Sequence, residues 1–391
     1  LLLLTGNIGR PGTGFSPLRG QNNVQGACDM GALPNVYPGY QRVNVPENKL
    51  KFEAAWGATL GDTPGLTITE MFEAAYQRKL KAIYVVGENP MMSEPNLNHT
   101  RRQMQGLEFL VTQDLFINES GAFADVFLPA ASFAEKDGSF TNSERRVQRV
   151  RCALPPKGDA RPDWNIVCDL GKRIEARLAV ERSPGWEYEH PSQVLEEISR
   201  LVPEYAGVNY DRIEQVGLQT PVADESHPGT PFLFSESFPR GRGKFHSLDF
   251  VPAVERPDDE YPFILTTGRV LEHWHGGTLT RHSQLDALYP EARVEISSTD
   301  AASLGVEDGD PLRIESRRGS ITLRAWITRR TNPGVVFIPF HFSEAAANLL
   351  TIDALDPQAR IPEYKACAVR VIRASEDQLV NPQARVHRGR Y

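Results

Sequence analysis

The chain has 391 residues, of which 40% are hydrophobic and 24% charged, and it carries a formal net charge of −7. This composition excludes a disordered or low-complexity protein and leaves room for two or three packed cores. The acidic balance excludes a nucleic-acid protein, which needs a strongly basic face to meet phosphates.

The chain opens on Leu1-Leu2-Leu3-Leu4, an apolar run too short for a signal segment or a membrane span, so no membrane insertion is expected. The run reads as the last turn of a buried helix stopped at Gly6, and hence as a chain that begins inside a larger polypeptide. Residues 5–40 are dense in Gly, Pro and Asn without an apolar period, which predicts an ordered loop with neither helix nor strand. Ordered loops of that length are often functional.

A helical stretch over about 69–80 precedes three short apolar runs, Ala82-Ile83-Tyr84-Val85-Val86, Phe109-Leu110-Val111-Thr112 and Asp125-Val126-Phe127-Leu128. Their spacing leaves room for crossover helices, and they read as strands buried on both faces, which together predict an α/β fold with a parallel sheet. Ligands of such sheets sit at the carboxyl ends of the strands. Gly87-Glu88-Asn89-Pro90, Gln113-Asp114 and Pro129-Ala130-Ala131-Ser132 are therefore candidates for one shared pocket.

Helical spacing over 163–179 places Asp163 at the start, where it can cap. From 219 to 262 the chain is rich in Pro and Gly and reads as a long connection between domains. Beyond it, alternating runs around 294–296, 312–315, 321–327 and 335–338, separated by turns such as Arg317-Arg318-Gly319-Ser320, predict a small β-barrel. Cys28, Cys152, Cys168 and Cys367 show no C-x-x-C spacing and read as free thiols of a reducing cytoplasm. The basic run Arg145, Arg146, Arg149, Arg151 reads as a solvated or internally paired face.

The segments Gly6-Asn7-Ile8-Gly9-Arg10-Pro11-Gly12-Thr13-Gly14 and Leu18-Arg19-Gly20-Gln21-Asn22-Asn23-Val24-Gln25-Gly26-Ala27-Cys28-Asp29-Met30-Gly31 resemble the formate dehydrogenase branch of the molybdopterin oxidoreductases. Gly87-Glu88-Asn89-Pro90, the stretch from Ala124 to Gln148, Thr266-Thr267-Gly268-Arg269 with its following histidines, and Pro362-Glu363-Tyr364-Lys365-Ala366-Cys367 agree in order and spacing. The resemblance implies a loop-bearing part of a domain begun upstream over 1–60, a Rossmann-like molybdopterin-binding domain over 61–220, a linker over 221–261, and a six-stranded double-psi barrel over 262–391.

It also implies a bis-molybdopterin guanine dinucleotide holding Mo or W, formate oxidised to CO2, and electrons passed through iron–sulfur clusters to electron-transfer subunits. The family's metal ligand and cluster cysteines lie upstream of the matched blocks, so this stretch alone is expected to be inactive.

Arg19 is the candidate catalytic residue, because a guanidinium fork grips both oxygens of a carboxylate. Gln21 offers an amide to the pterin edge, and the same resemblance marks Glu88 and Asn348 as cofactor contacts. Gly87 permits close backbone approach, Asn89 and Gln113 present amides, and Asp114 suits guanine N–H groups or ribose hydroxyls. Asp163 reads equally as a cap or a cofactor contact.

The cluster His273-Trp274-His275-Gly276-Gly277-Thr278 lacks the spacing of a zinc site and reads as a phosphate cradle, with Arg269 adding charge. Tyr364 and Lys365 close the set. Two further readings stand beside this one: another molybdopterin oxidoreductase such as a nitrate reductase, and a non-catalytic relative of the fold in a respiratory complex.

Overall fold

The computed structural model describes residues 1–180 and 185–379. The chain divides into two units, one made of Leu1–Thr67 with Pro129–Leu248, the other of Ile68–Leu128 with the chain from Asp249 onward.

In the second unit, β1 (Ala82–Val86), β2 (Phe109–Asp114) and β3 (Val126–Pro129) form a sheet in that order. β1 and β2 run parallel, with Ala82 opposite Phe109 and Val86 opposite Gln113. The intervening chain holds the helices Pro90–Ser93 and Leu97–Met104, the crossover that parallel pairing requires. Phe72, Met91, Met104, Leu107 and Leu110 form the core, with Ile83 and Val85 packed against it. The expectation that these strands are buried on both faces fails: Phe109 of β2 and Val126 of β3 are exposed, and so is one whole face of β1. Side chains alternate along a strand, so Tyr84 and Val86 fall on the face opposite this core and are exposed.

The first unit carries an antiparallel sheet of β4 (Gly138–Thr141), β5 (Arg146–Val150) and β6 (Leu218–Gln219). Val147, Leu195, Val202, Tyr205, Ile213 and Val222 pack into its core. The basic run on β5 is internally paired: Arg149 meets Asp137 and Glu214, and Arg151 meets Glu214.

Three local expectations need correction here. Gly6 takes the left-handed conformation of a helix stop, but residues 1–5 form a turn and Leu1, Leu3 and Leu4 are exposed. The 5–40 segment contains a helix, Val24–Asp29, started by Asn23 at φ 61° and held because Asn23 Oδ1 accepts the Thr141 N–H at 2.9 Å. The helix Asp163–Leu178 is entered through Pro162 without a side-chain cap, and Asp163 instead pairs with Lys136.

The rest of the second unit is a closed barrel of β7 (Phe263–Gly268), β8 (Arg293–Ser297), β9 (Pro311–Glu315), β10 (Ser320–Thr328), β11 (Val335–Pro339) and β12 (Cys367–Arg373), in the order β8-β10-β9-β12-β7-β11. β7 is parallel to β11 and β8 to β10, and the other pairs are antiparallel. Exchanging the first three strands with the last three leaves every pairing unchanged, the pseudo-twofold pattern of a double-psi barrel. Val294, Ile296, Leu312, Ile314, Leu323, Ala325, Val336 and Ile338 alternate into its core. Two loops leave this scaffold, 269–292 after β7 and 340–366 after β11, and they carry the barrel's candidate site residues.

Candidate functional site

β1 ends at Gly87, whose φ of 64° is left-handed and whose surroundings are open within 4 Å of a built Cβ. Its N–H donates to the Gln113 carbonyl at 2.8 Å, so the ends of β1 and β2 are joined. Gln113 is buried and its Oε1 accepts the Tyr84 hydroxyl. Asp114 turns back on its own loop: Oδ1 accepts the Leu115 N–H at 2.6 Å and Oδ2 accepts Asn118 Nδ2 at 2.8 Å. Asn118 in turn caps the helix Glu119–Phe123 through the Gly121 N–H.

Asn89 is buried and fully engaged. Its Nδ2 donates to Glu119 at 2.7 Å, and its Oδ1 accepts both the N–H and the hydroxyl of Ser120. Its amide therefore fixes the shape of the 87–90 turn and leaves the backbone and Glu88 to face outward. Glu88 itself accepts the Asn89 N–H at 3.1 Å.

The barrel meets this turn through Asn348, which is buried and donates to the carbonyls of Met92 at 2.9 Å and Ser93 at 3.1 Å. Phe116 stacks on His282 with ring centroids 4.1 Å apart, and a Cβ built on Gly276 would lie 3.9 Å from Met92 Cβ. The strand-end segments and both barrel loops are thus neighbours.

Two buried histidines hold the 269–277 turn. His273 donates from Nε2 to the Tyr289 carbonyl at 2.6 Å, because a carbonyl can only accept, and its Nδ1 lies 3.1 Å from the Thr280 hydroxyl. His341 donates from Nδ1 to the His275 carbonyl at 2.5 Å and accepts the Val270 N–H on Nε2 at 3.0 Å. Burial lowers the His341 pKa to about 4, so it stays neutral and keeps one donor and one acceptor. Gly277 (φ 78°) passes so close to His341 that a Cβ would lie 2.5 Å from its carbonyl oxygen.

Arg269 and Lys365 stand over this turn. Each lies 5.3 Å from the centroid of the same Phe340 ring, and neither has a carboxylate partner among the described residues. Arg269 donates to His275 Nδ1 at 3.2 Å, and Lys365 donates to the Thr267 carbonyl at 2.7 Å. Burial, and then the Arg269 charge, hold the Lys365 pKa below its usual value. Two adjacent cations without a counter-ion, beside a glycine turn, match the needs of a diphosphate. Trp274, 44% exposed, offers an aromatic face next to them.

Burial, then the charges of Glu94 and Glu88, raise the Tyr364 phenol. Burial and Glu88 together push the Glu94 carboxyl up to about 7.

In the first unit, Arg19 and Gln21 lie exposed on the glycine-rich loop, where the Arg19 N–H donates to the Ser143 hydroxyl at 3.4 Å. The Arg19 guanidinium has no hydrogen bond or ion pair among the described residues.

Sequence reasoning missed His341, Phe340 and Glu94. Little local marks them, since the partners of His341 lie 66 and 71 residues away and Glu94 acquires its setting from tertiary packing. The one available signal for His341 was a lone polar residue between Phe340 and Phe342 at a strand end.

Residues 1–173 match the family Molybdopterin oxidoreductase, and residues 263–368 match the Molydopterin dinucleotide binding domain. The two matched segments thus resemble molybdopterin oxidoreductases at both ends of the chain. The chain is 46% identical over 376 residues to the F420-dependent formate dehydrogenase subunit alpha of Methanocaldococcus jannaschii, covering 95% of this chain and 54% of that one. It is 37% identical over 379 residues to formate dehydrogenase H of Escherichia coli, with 95% and 52% covered.

The chain thus spans about half the length of the curated relatives it matches. Among solved structures, acetylene hydratase from Pelobacter acetylenicus shares the fold, with a TM-score of 0.61 at 15% identity over 85% of this chain and 50% of that one.

Proposed function

We propose that this chain is part of the catalytic subunit of a formate dehydrogenase, that its second unit grips a molybdopterin guanine dinucleotide, and that Arg19 holds the substrate. The observation that carries the reading is the placing of Arg269 and Lys365 over the same Phe340 ring with no carboxylate partner among the described residues, because such cations are free to meet an anion. The pair would hold a diphosphate, with the Gly276-Gly277 backbone beneath it. Gly87, Glu88, Gln113, Asp114, Trp274, Asn348 and Tyr364 would shape the surrounding pocket.

When bound, the cofactor supplies two-electron redox chemistry at Mo or W. Formate leaves as CO2 after giving up its hydrogen as a proton and two electrons, and Arg19 holds the carboxylate still meanwhile. Iron–sulfur clusters and partner subunits elsewhere in the enzyme would take up the two electrons.

Among the described residues no helix is long and apolar enough to cross a membrane, and the four free cysteines suit a reducing cytoplasm. The resemblance of Arg19-Gly20-Gln21-Asn22-Asn23 to the formate branch favours formate over nitrate. The test is the complete subunit containing this chain, purified and assayed for metal, pterin and formate-dependent dye reduction. Metal near one per subunit with formate turnover supports the reading, and full metal without formate turnover would contradict it.

A further inference from the structure

Asn23 starts the helix Val24–Asp29 without serving it. An asparagine at a helix start ordinarily accepts from the helix's own first N–H groups. Asn23 makes no such cap, and its Oδ1 instead accepts the Thr141 N–H at 2.9 Å. Its φ of 61° is left-handed, a conformation that asparagine tolerates better than most residues with a Cβ. Gly26 leaves room for the amide, since a Cβ there would lie 2.1 Å from Asn23 Oδ1.

The strand end that receives this bond is itself fixed. Asn142 Oδ1 accepts the N–H groups of Glu144 and Arg146, each at 3.0 Å, and the Arg145 N–H donates to the Asn142 carbonyl at 2.9 Å. The far end of the helix returns to the same place: the buried Tyr205 hydroxyl donates to Asp29 Oδ2 at 2.7 Å and lies 3.1 Å from the Thr141 hydroxyl. Both ends of the helix are thus tied to Thr141. Arg19 lies just before this frame, and its own N–H reaches Ser143 Oγ at 3.4 Å. Of these two ties between loop and hairpin the Asn23 bond is the shorter, so it sets where the Arg19 main chain lies while the guanidinium stays free.

We infer that Asn23 is a positioning residue for the substrate, acting through Arg19: its bond to Thr141 holds the loop main chain so that the guanidinium meets formate in one orientation. The inference rests on the reading of Arg19 as the formate-binding group given above. A two-oxygen grip is directional, so a main chain free to shift costs the pair its geometry even though the charge remains. The loss falls mainly on formate binding, because the carboxylate is gripped before the C–H bond breaks.

The test uses the intact, metal-quantified enzyme and two independent ways of breaking the one bond. Asn23→Gly keeps the left-handed backbone and removes the acceptor. Gly26→Ala suits a helix better than glycine does, but it drives the Asn23 amide off Thr141, because the end of that short side chain is what must move. Each should lower kcat/KM by about tenfold to a hundredfold, mostly through a raised formate KM, with metal and pterin at wild-type levels. Combined with Arg19→Ala, either substitution should cost nothing further, since its effect passes through a guanidinium that is gone. Gly26→Ala decides the matter if Asn23→Gly does not accumulate.

A kcat/KM within about threefold of wild type in both variants, losses that add in full to that of Arg19→Ala, or metal and pterin lost along with activity would each overturn the inference. If Arg19→Ala is severe while the two variants are neutral, only the positioning role falls. If Arg19→Ala itself stays within about threefold of wild type, the substrate reading falls and takes the inference with it.

Discussion

The glycine-rich loop around Arg19 and the 269–277 turn carry the same kinds of residue, arginine and glycine, yet they are built in opposite ways. The barrel turn is locked from beneath by two buried histidines whose ring nitrogens are used up by three backbone groups and the Thr280 hydroxyl, so Arg269 stands on a rigid base. Arg19 is exposed and anchored through its backbone alone, by one long bond to Ser143. A rigid base suits a group that must grip a cofactor permanently, whereas a guanidinium left without a partner suits one that must take and release a small anion. The difference predicts that the two regions fail differently when altered.

The largest effect is expected at Arg19. With formate bound in the assembled enzyme the guanidinium and the carboxylate would form a desolvated charge pair; losing one partner of such a pair costs roughly 3–5 kcal/mol, and expressed fully in the transition state this lowers kcat/KM by about two to three orders of magnitude. Arg19→Lys should fall between wild type and Arg19→Ala, since it keeps charge but loses the fork. Steady-state kinetics on metal-quantified enzyme checks both. A drop below about threefold in Arg19→Ala would remove the contrast between the loops.

Next comes His341→Ala, which leaves the His275 carbonyl and the Val270 N–H without partners. At about 1–3 kcal/mol for each of the two buried groups, unfolding free energy should fall by roughly 2–6 kcal/mol. The pH dependence is signed. The folded pKa of His341 is depressed to about 4, so its stabilising contribution is present above its ordinary value of 6.5 and is lost as pH falls towards 4.

Glu94 runs the other way. Its pKa is raised to about 7, so stability is fully present below its ordinary 4.5 and is lost as pH rises through 7. Between pH 4.5 and 6.5 the two offset each other. Denaturant titrations of Glu94→Gln should therefore expose the histidine limb, a stability that climbs from pH 4 and no longer declines towards 7. A curve unchanged from wild type would contradict both assignments.

The smallest contrast lies in two glycines with similar backbone angles. Gly87→Ala adds a Cβ to open space and should cost only the left-handed strain, about 1–2 kcal/mol. Gly277→Ala adds the same strain and also meets the His341 carbonyl at 2.5 Å, so it should cost more and loosen the histidine lock as well. Equal melting temperatures for the two would show that the turn is softer than its geometry implies.

Much of this architecture is legible in the chain because its signals are local. The runs beginning at Ala82, Phe109 and Asp125 are short and largely apolar with turn residues after them, and each holds a strand, the third starting at Val126. The barrel strands alternate cleanly, and the Gly-Gly pair marks a tight turn.

Illegible features depend on distant neighbours. Asn89 looks like a ligand contact in sequence, but its amide is consumed by Glu119 and Ser120 across the sheet end. Asp163 looks like a cap, but Lys136 takes its carboxylate. The Val24–Asp29 helix hides in a glycine-rich stretch because its support, the Thr141 N–H, lies 118 residues away.

The central claim is the division of labour between these two regions, and pterin content is its most direct measure. Bound pterin per subunit would be determined in parallel for Arg19→Ala and for the Arg269→Ala, Lys365→Ala double variant of the intact enzyme. The account predicts wild-type pterin with severely reduced formate turnover in the first, and loss of most of the pterin in the second. Pterin lost in Arg19→Ala, or retained in full by the double variant, would contradict it.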